Sequence, residues 1–312
     1  MCRVPRLALF VFAAALAVSA VCAPLPAGRV VFRSSRGEGW EIYSMHADGT
    51  GLRNLSNLNW ASEDMPDVSP DGTRVAFRSS RDSSGEIYVM NVDGSDQRRI
   101  THDPKEDWFP RWSPDGTEIL FYRLGAGIHI IGANGQNERW LATCQTGGDW
   151  SPDGTRIVYA DPAHHDLMTI SPDGAGMAPM GIPGLNPWLS TPAWSPDGER
   201  IAFEVSDEGL GSSIFAVNPD GKKLDQLTMR GGWEMSPAWT SDGGRIVFSS
   251  NGSSLFTMLP NGDDVQSLPG GTGEADYPNW HGDSDLTRGI SSRDNKPFKW
   301  GWLKRMPRAG FR

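Results

Sequence analysis

The sequence predicts an all-β protein: a six-bladed β-propeller of four-stranded antiparallel blades, closed by pairing of its N- and C-terminal strands. Three observations predict it. A turn block returns about every 42 residues, the spacing of one four-stranded propeller blade. An alternating apolar run follows each block. The first unit lacks a strand that reappears after the last unit.

The block Pro-x-Trp-Ser-Pro-Asp-Gly runs from Pro110 to Gly116 and from Pro192 to Gly198. Looser copies span Pro66 to Gly72, Gly148 to Gly154 and Pro237 to Gly243. In these turns Pro presets φ, Asp bonds its own backbone and Gly takes positive φ, so the acids Asp71, Asp115, Asp153, Asp197 and Asp242 read as structural. Each is followed by a β-branched and aromatic run of period two, such as Arg74 to Phe77, Glu118 to Phe121 and Arg200 to Phe203, which is the second strand of its blade. A third strand, such as Glu86 to Met90 or Ser213 to Val217, closes on Asp-Gly or Asn-Gly, the dipeptides that tolerate a hairpin turn. Fourth strands are expected at Asp96 to Thr101 and Lys223 to Thr228. The tryptophans Trp112, Trp150, Trp194, Trp239 and Trp280 stand at one register per unit and are expected to pack between blades. Closure follows from the ends. Arg29 to Phe32 reads as a second strand without a first, and Tyr277 to Trp280 as a first strand without a second.

Composition is consistent with a packed exported protein. The 312 residues include 37 Gly and 23 Pro, below the roughly 25–30% combined share of low-complexity chains, and 13 Trp. Of three cysteines, Cys2 and Cys22 lie at the start, so Cys144 alone is left in the body; this excludes a disulfide scaffold and a multi-thiolate zinc site. Residues 1–22 read as a signal peptide, with Arg3 and Arg6 ahead of an apolar run from Leu7 to Val21, and cleavage is expected near Ala20. Lipoprotein processing at Cys22 is the alternative, disfavoured by Val21. Either route puts the protein in the periplasm or outside the cell. The propeller spans 29–287. A basic tail, 288–312, carries eight Lys/Arg against Asp294 and includes Phe298, Trp300 and Trp302, a composition compatible with peripheral contact at an anionic membrane; Gly301 and Pro307 weaken a helix there and favour a disordered tail or one docked on the acidic propeller. Net charge is −9 and concentrates as acid between the two ends, which argues against a nucleic-acid partner. The chain is expected to be a monomer.

The Trp-Ser-Pro-Asp-Gly turn, the Arg-Ile-Ala-Phe strand after it and the Ile-Tyr-x-Met-x-x-Asp-Gly hairpin at Ile87 to Gly94 resemble the repeats of the TolB propeller family over about 29 to 280. That resemblance implies a non-catalytic exported propeller that binds a protein partner in the periplasm or cell envelope. TolB proteins carry a further α/β domain before the propeller, whereas here the first blade begins at Arg29, so that domain's contacts do not transfer.

Candidate functional residues gather in the connections from the fourth strand of one blade to the first of the next. These are longer than the opposite turns and hold aromatics beside acids: Trp60, Glu63, Asp64, Asp107, Trp108, Trp188, Trp233, Glu234, Asp276 and Tyr277. Loops on a rigid scaffold commonly carry recognition, and these would set a ring of carboxylates round the channel mouth. The competing reading is that the acids cap strand ends. His164 and His165 beside Asp161 and Asp166 could ligate a metal but lack a matching cluster, so no metal or other cofactor is expected. No Gly-x-Ser-x-Gly elbow, His-Glu-x-x-His pair or phosphate-binding Gly loop occurs. The alternative function is a carbohydrate-binding or lyase-like propeller, with the loop tryptophans as stacking platforms.

Overall fold

The computed structural model describes residues 28–282, apart from 38, 83, 162–164, 184–187, 208–210 and 230–231. The signal peptide and the basic tail expected at the two ends, and His164, lie outside the described residues. Six four-stranded antiparallel sheets make six blades, and no helix occurs among the described residues. The innermost strands are Ala275–His281, Glu63–Val68, Asp107–Trp112, Gly148–Trp150, Trp188–Trp194 and Glu234–Trp239, for blades 1 to 6. Each touches the innermost strands of the blades on either side, and the cycle closes from blade 6 back to blade 1.

Blade 1 is built from both ends of the described chain. Its sheet runs Ala275–His281, Arg29–Ser34, Glu41–His46, Arg53–Asn54, with Val30 opposite Trp280 and Arg33 opposite Asp276. A late segment thus supplies the inner strand that the first unit lacks, and no sheet edge is left open beside the channel.

The core is divided among the six blade interfaces. Val31, Ile42 and Leu55 of blade 1 pack on Val75, Phe77 and Met90 of blade 2, and the same arrangement repeats round the ring. Every block tryptophan sits in the interface with the preceding blade, as expected. The Trp112, Trp150 and Trp239 indoles donate to the carbonyls of Asp67, Arg111 and Ala193 on that blade, at 3.1, 3.3 and 3.1 Å. Within the blades, facing rings of the second and third strands stack or tilt together, their centroids 5.5 to 6.2 Å apart in five of the six. The second-strand members Phe32, Phe77, Phe121, Phe203 and Phe248 are fully buried, each contributing roughly 2–3 kcal/mol.

The Ser-Pro-Asp-Gly turns bond internally. Asp71 Oδ1 accepts from the Ser69 hydroxyl, the Thr73 amide and the Thr73 hydroxyl at 2.6, 3.0 and 2.8 Å, and Asp115 and Asp153 repeat the set. At the Asp-Gly hairpins glycine does a second job beyond positive φ. A Cβ at Gly94 would lie 2.3 Å from the Leu55 carbonyl oxygen of the preceding blade, and one at Gly221 2.1 Å from that of Met180.

The outermost strands of blades 2 and 5 are shorter than expected, reduced to Arg98–Arg99 and Asp225–Gln226. The next ladder position is taken by a side chain: the Ile42, Ile87 and Ile214 amides donate to the hydroxyls of Ser56, Thr101 and Thr228 at 3.0, 2.9 and 2.9 Å. A hydroxyl that takes a carbonyl's place ends the strand and turns the chain toward the next blade.

Candidate functional site

In an antiparallel meander the turns between strands one and two and between three and four share one end, here the turn face. The other connections share the opposite end, the loop face. The candidate residues belong to the loop face, where the innermost strands begin.

Five of the six innermost strands carry a left-handed residue immediately before proline: Met65, Phe109, Thr191, Ser236 and Tyr277, with φ of 54, 55, 44, 54 and 46°. Each coincides with a shift in strand register. Proline cannot donate to the ladder, so the strand bulges there. A non-glycine residue at positive φ costs about 1–3 kcal/mol and is a feature to be explained. These bulges were missed from the sequence, although the signal, a proline inside every innermost strand but that of blade 4, is plain. Their effect is to close down the channel. Phe109 of blade 3 meets Tyr277 of blade 1 edge-on, with ring centroids 6.3 Å apart, although blade 2 separates those blades. Blade 4 has Gly147-Gly148 at this level, and a Cβ on Gly147 would come within 2.5 Å of Phe109 Cβ. The small residue makes room for the ring.

Around this plug, ion pairs run from blade 1 through blade 2 to the connection into blade 3, with separate pairs beside them in blades 2 and 3. Arg33 donates to both carboxylate oxygens of Asp276 and, at 2.7 Å, to Asp64 of blade 2. Arg78 donates to Asp64 at 2.9 Å and to Glu106 at 3.3 Å, and its guanidinium lies 3.8 Å from the Trp108 ring centroid. Glu63 accepts from the Ser79 hydroxyl and Arg81 at 2.9 and 3.0 Å. Asp107 is held by both ends of the Arg123 fork, at 2.8 and 2.9 Å.

The expected carboxylates therefore surround the channel, but they are not open to solvent. Glu63, Asp107 and Glu234 are fully buried, and Asp64 and Asp276 nearly so. Burial pushes Glu63 up to about 7 in spite of Arg81, and Asp107 up to about 6 in spite of Arg123. The missed signal is the arginine one strand away: Arg33, Arg78 and Arg81 follow the second-strand phenylalanine closely in sequence, and Arg123 lies two residues after Phe121, opposite Asp107. Desolvated carboxylates need such partners. The aromatics divide. Trp108 and Tyr277 are half-buried in the network, whereas Trp60, Trp188 and Trp233 are 67, 51 and 48% exposed. His165 is exposed at the rim of blade 4. Among the described residues no three of His, Cys, Asp and Glu stand close enough to hold a metal ion, and no helix is long and apolar enough to cross a membrane.

A relative from Agrobacterium fabrum, the uncharacterized protein Atu1656, is 32% identical over 141 residues, 40% of this chain and 48% of that one; the chain thus spans about half of that relative's length. Of solved structures, TolB from Acinetobacter baumannii superposes with a TM-score of 0.70 at 18% identity, over 81% of this chain and 66% of that chain. A TolB-like protein from Agrobacterium tumefaciens gives 0.60 at 18%, over 83% and 99%. An oligogalacturonate lyase in complex with manganese gives 0.50 at 14%, over 78% and 73%. At such identities these structures share the fold alone. The sequence model of the TolB β-propeller domain matches residues 19–186, more than half of the chain, and the protein belongs to that family.

Proposed function

We propose that the protein is a non-catalytic exported propeller that binds a protein partner in the periplasm or cell envelope through its loop face. The observation that carries this reading is the exposure of Trp60, Trp188 and Trp233 at the rim of a face whose acids are already fixed. Large aromatics left in water on a rigid frame are typical anchors of a contact surface. Glu63, Asp64, Asp107, Glu234 and Asp276, with Trp108 and Tyr277, belong to the same surface as its support. Packed at the strand ends, they hold the rim in place. The TolB likeness and the Arg3/Arg6 leader support the location.

The test is capture from envelope extract by the purified mature protein. Trp60→Ala, Trp188→Ala and Trp233→Ala together should lose the partner, while Asp93→Asn and Asp220→Asn on the turn face keep it, and capture should weaken as salt is raised. Retention by the triple variant with loss in the turn-face variants would place the surface at the wrong end.

A further inference from the structure

One register position distinguishes the blades sharply. The residue after the second-strand aromatic is Arg33, Arg78, Tyr122, Ala160, Glu204 and Ser249 in blades 1 to 6. In blades 1 and 2 it is an arginine opposite an inner-strand aspartate, Arg33 facing Asp276 and Arg78 facing Asp64. Each arginine reaches on to an acid of the next connection or blade, and each lies over an indole, Arg33 at 4.0 Å from the Trp40 ring and Arg78 at 3.8 Å from that of Trp108. The protein thus fills these two clefts with its own guanidinium, held between carboxylate and tryptophan.

Blade 5 carries the opposite charge at that level. Glu204 stands opposite Ser190, is 8% exposed, and accepts from the hydroxyls of Ser206 and Thr191 at 3.1 and 3.4 Å. Among the described residues no Lys or Arg lies within ion-pair distance of it. Its side of the sheet turns toward blade 6, since Ala202, two residues back, packs in the interface between blades 5 and 6, and the Ser236 backbone also bonds Glu204. Exposed Trp188 lies two residues before Ser190. Exposed Trp233 enters blade 6 and is bridged to Ser212 of blade 5. The described loop-face segments of blades 4 to 6 contain no Lys or Arg. Among the described residues, an acid and two exposed indoles stand here without the arginine that occupies the same register in blades 1 and 2.

We propose that the loop-face cleft between blades 5 and 6 binds the guanidinium of an arginine side chain from a protein partner, with Glu204 as its carboxylate and Trp188 and Trp233 as its stacking walls. This rests on the loop-face reading above. A planar fork matches a carboxylate and stacks on indole better than an ammonium does, so arginine should be preferred over lysine.

The test uses the whole mature chain, ¹⁵N-labelled, titrated with the peptide acetyl-Gly-Ser-Arg-Ser-Gly-amide and with versions carrying citrulline or lysine. The arginine peptide should shift the indole N–H signals of Trp188 and Trp233 and leave that of Trp140, an exposed tryptophan of blade 3, in place. Citrulline should bind at least about tenfold more weakly, as expected for loss of a charge-assisted pair. Glu204→Gln keeps the hydroxyl contacts and should abolish the difference between arginine and citrulline. Should that variant fold poorly, Trp188→Ala with Trp233→Ala should weaken the arginine peptide by a similar factor. Equal binding of arginine and citrulline, a preference for lysine, or no effect of either variant overturns the proposal. So does binding that emerges only after Arg230→Ala, which would assign the cleft to the chain's own arginine. Envelope capture separates the two readings: a partner retained by Glu204→Gln removes the cleft alone, whereas one retained by every loop-face tryptophan variant removes the face.

Discussion

The two ends of the propeller are made from the same six units, yet the turn face is nearly the same in blades 2 to 6 and the loop face differs in each. On the turn face Asp71, Asp115 and Asp153 accept the same three hydrogen bonds, and the hairpin glycines press on the preceding blade's backbone at Gly49, Gly94, Gly221 and Gly262. On the loop face one register holds Arg33, Arg78, Tyr122, Ala160, Glu204 and Ser249. Repetition here marks what any blade needs in order to stack, and departure from it marks what a single blade contributes to this molecule. The same contrast separates the burial of Trp112 and Trp239 from the exposure of Trp60, Trp188 and Trp233.

The largest effect expected concerns the unit shared by both faces. Removing residues 274–312 deletes the inner strand of blade 1, leaving Val30 and Phe32 beside an open edge and removing Trp280 from the interface with blade 6. One buried tryptophan alone is worth roughly 3–5 kcal/mol, so this truncation should lose most of the protein's stability, while removal of 290–312 should leave the melting temperature unchanged. Equal melts would mean that the ring does not depend on its closing strand.

A smaller effect tests whether the turn face is as constrained as its repetition suggests. Gly94→Ala and Gly221→Ala drive a methyl into backbone carbonyls of the neighbouring blade and should cost about 2–4 kcal/mol. Gly176→Ala has the same positive φ but open space around it, and should cost only about 1 kcal/mol. Matching losses at all three positions would reduce the turn face to local conformation and remove its role in stacking.

The loop-face acids give a pH signature. Burial raises Glu63 from 4.5 to about 7 in the folded chain, so the folded state binds that proton more tightly than the unfolded state does. The stability this provides is present below about pH 4.5 and is lost as pH climbs to about 7. Asp107, raised to about 6, acts in the same sense. Glu63→Gln keeps the contacts to Ser79 and Arg81 without the charge. Its melting temperature should therefore fall less than that of the wild type between pH 5 and 7.5, and parallel profiles would show that Glu63 is ionised without penalty.

How much of this was legible in the sequence follows from the same contrast. Blade number, strand two, strand three, the turns and the closure could all be read because Asp, Gly, Pro and the period-two runs each impose a local backbone conformation. The outermost strands were drawn too long because the hydroxyls of Ser56, Thr101 and Thr228 act across the ladder, a contact no local pattern announces. The loop-face acids read either as a ring at the channel mouth or as caps of strand ends, and neither reading includes the arginines that hold them. Their arginine partners sit 14 to 18 residues away in sequence for Asp64–Arg78, Asp107–Arg123 and Glu63–Arg81, and 243 away for Asp276–Arg33. Pairing at those separations becomes visible only when the strands are laid side by side.

The smallest stability effect sharpens the contrast most. Trp60→Ala, Trp188→Ala and Trp233→Ala remove side chains that stand about half or more in water, so each should change stability by no more than about 0.5 kcal/mol. Trp112→Ala, with a buried ring, an indole bonded to Asp67 and Arg74 packed 4.5 Å from its centroid, should cost roughly 3–5 kcal/mol. Thermal melts of the four variants measure both sides at once. A costly loop-face tryptophan would show that it braces a blade, which would remove it from the proposed contact surface. Three neutral ones would leave all three free to serve the proposed contact surface. Among the described residues the blade interfaces close without them: five hold a block tryptophan, that between blades 1 and 2 packs Val31 and Leu55 on Phe77 and Met90, and the rim acids beside Trp60 and Trp108 are held by arginines.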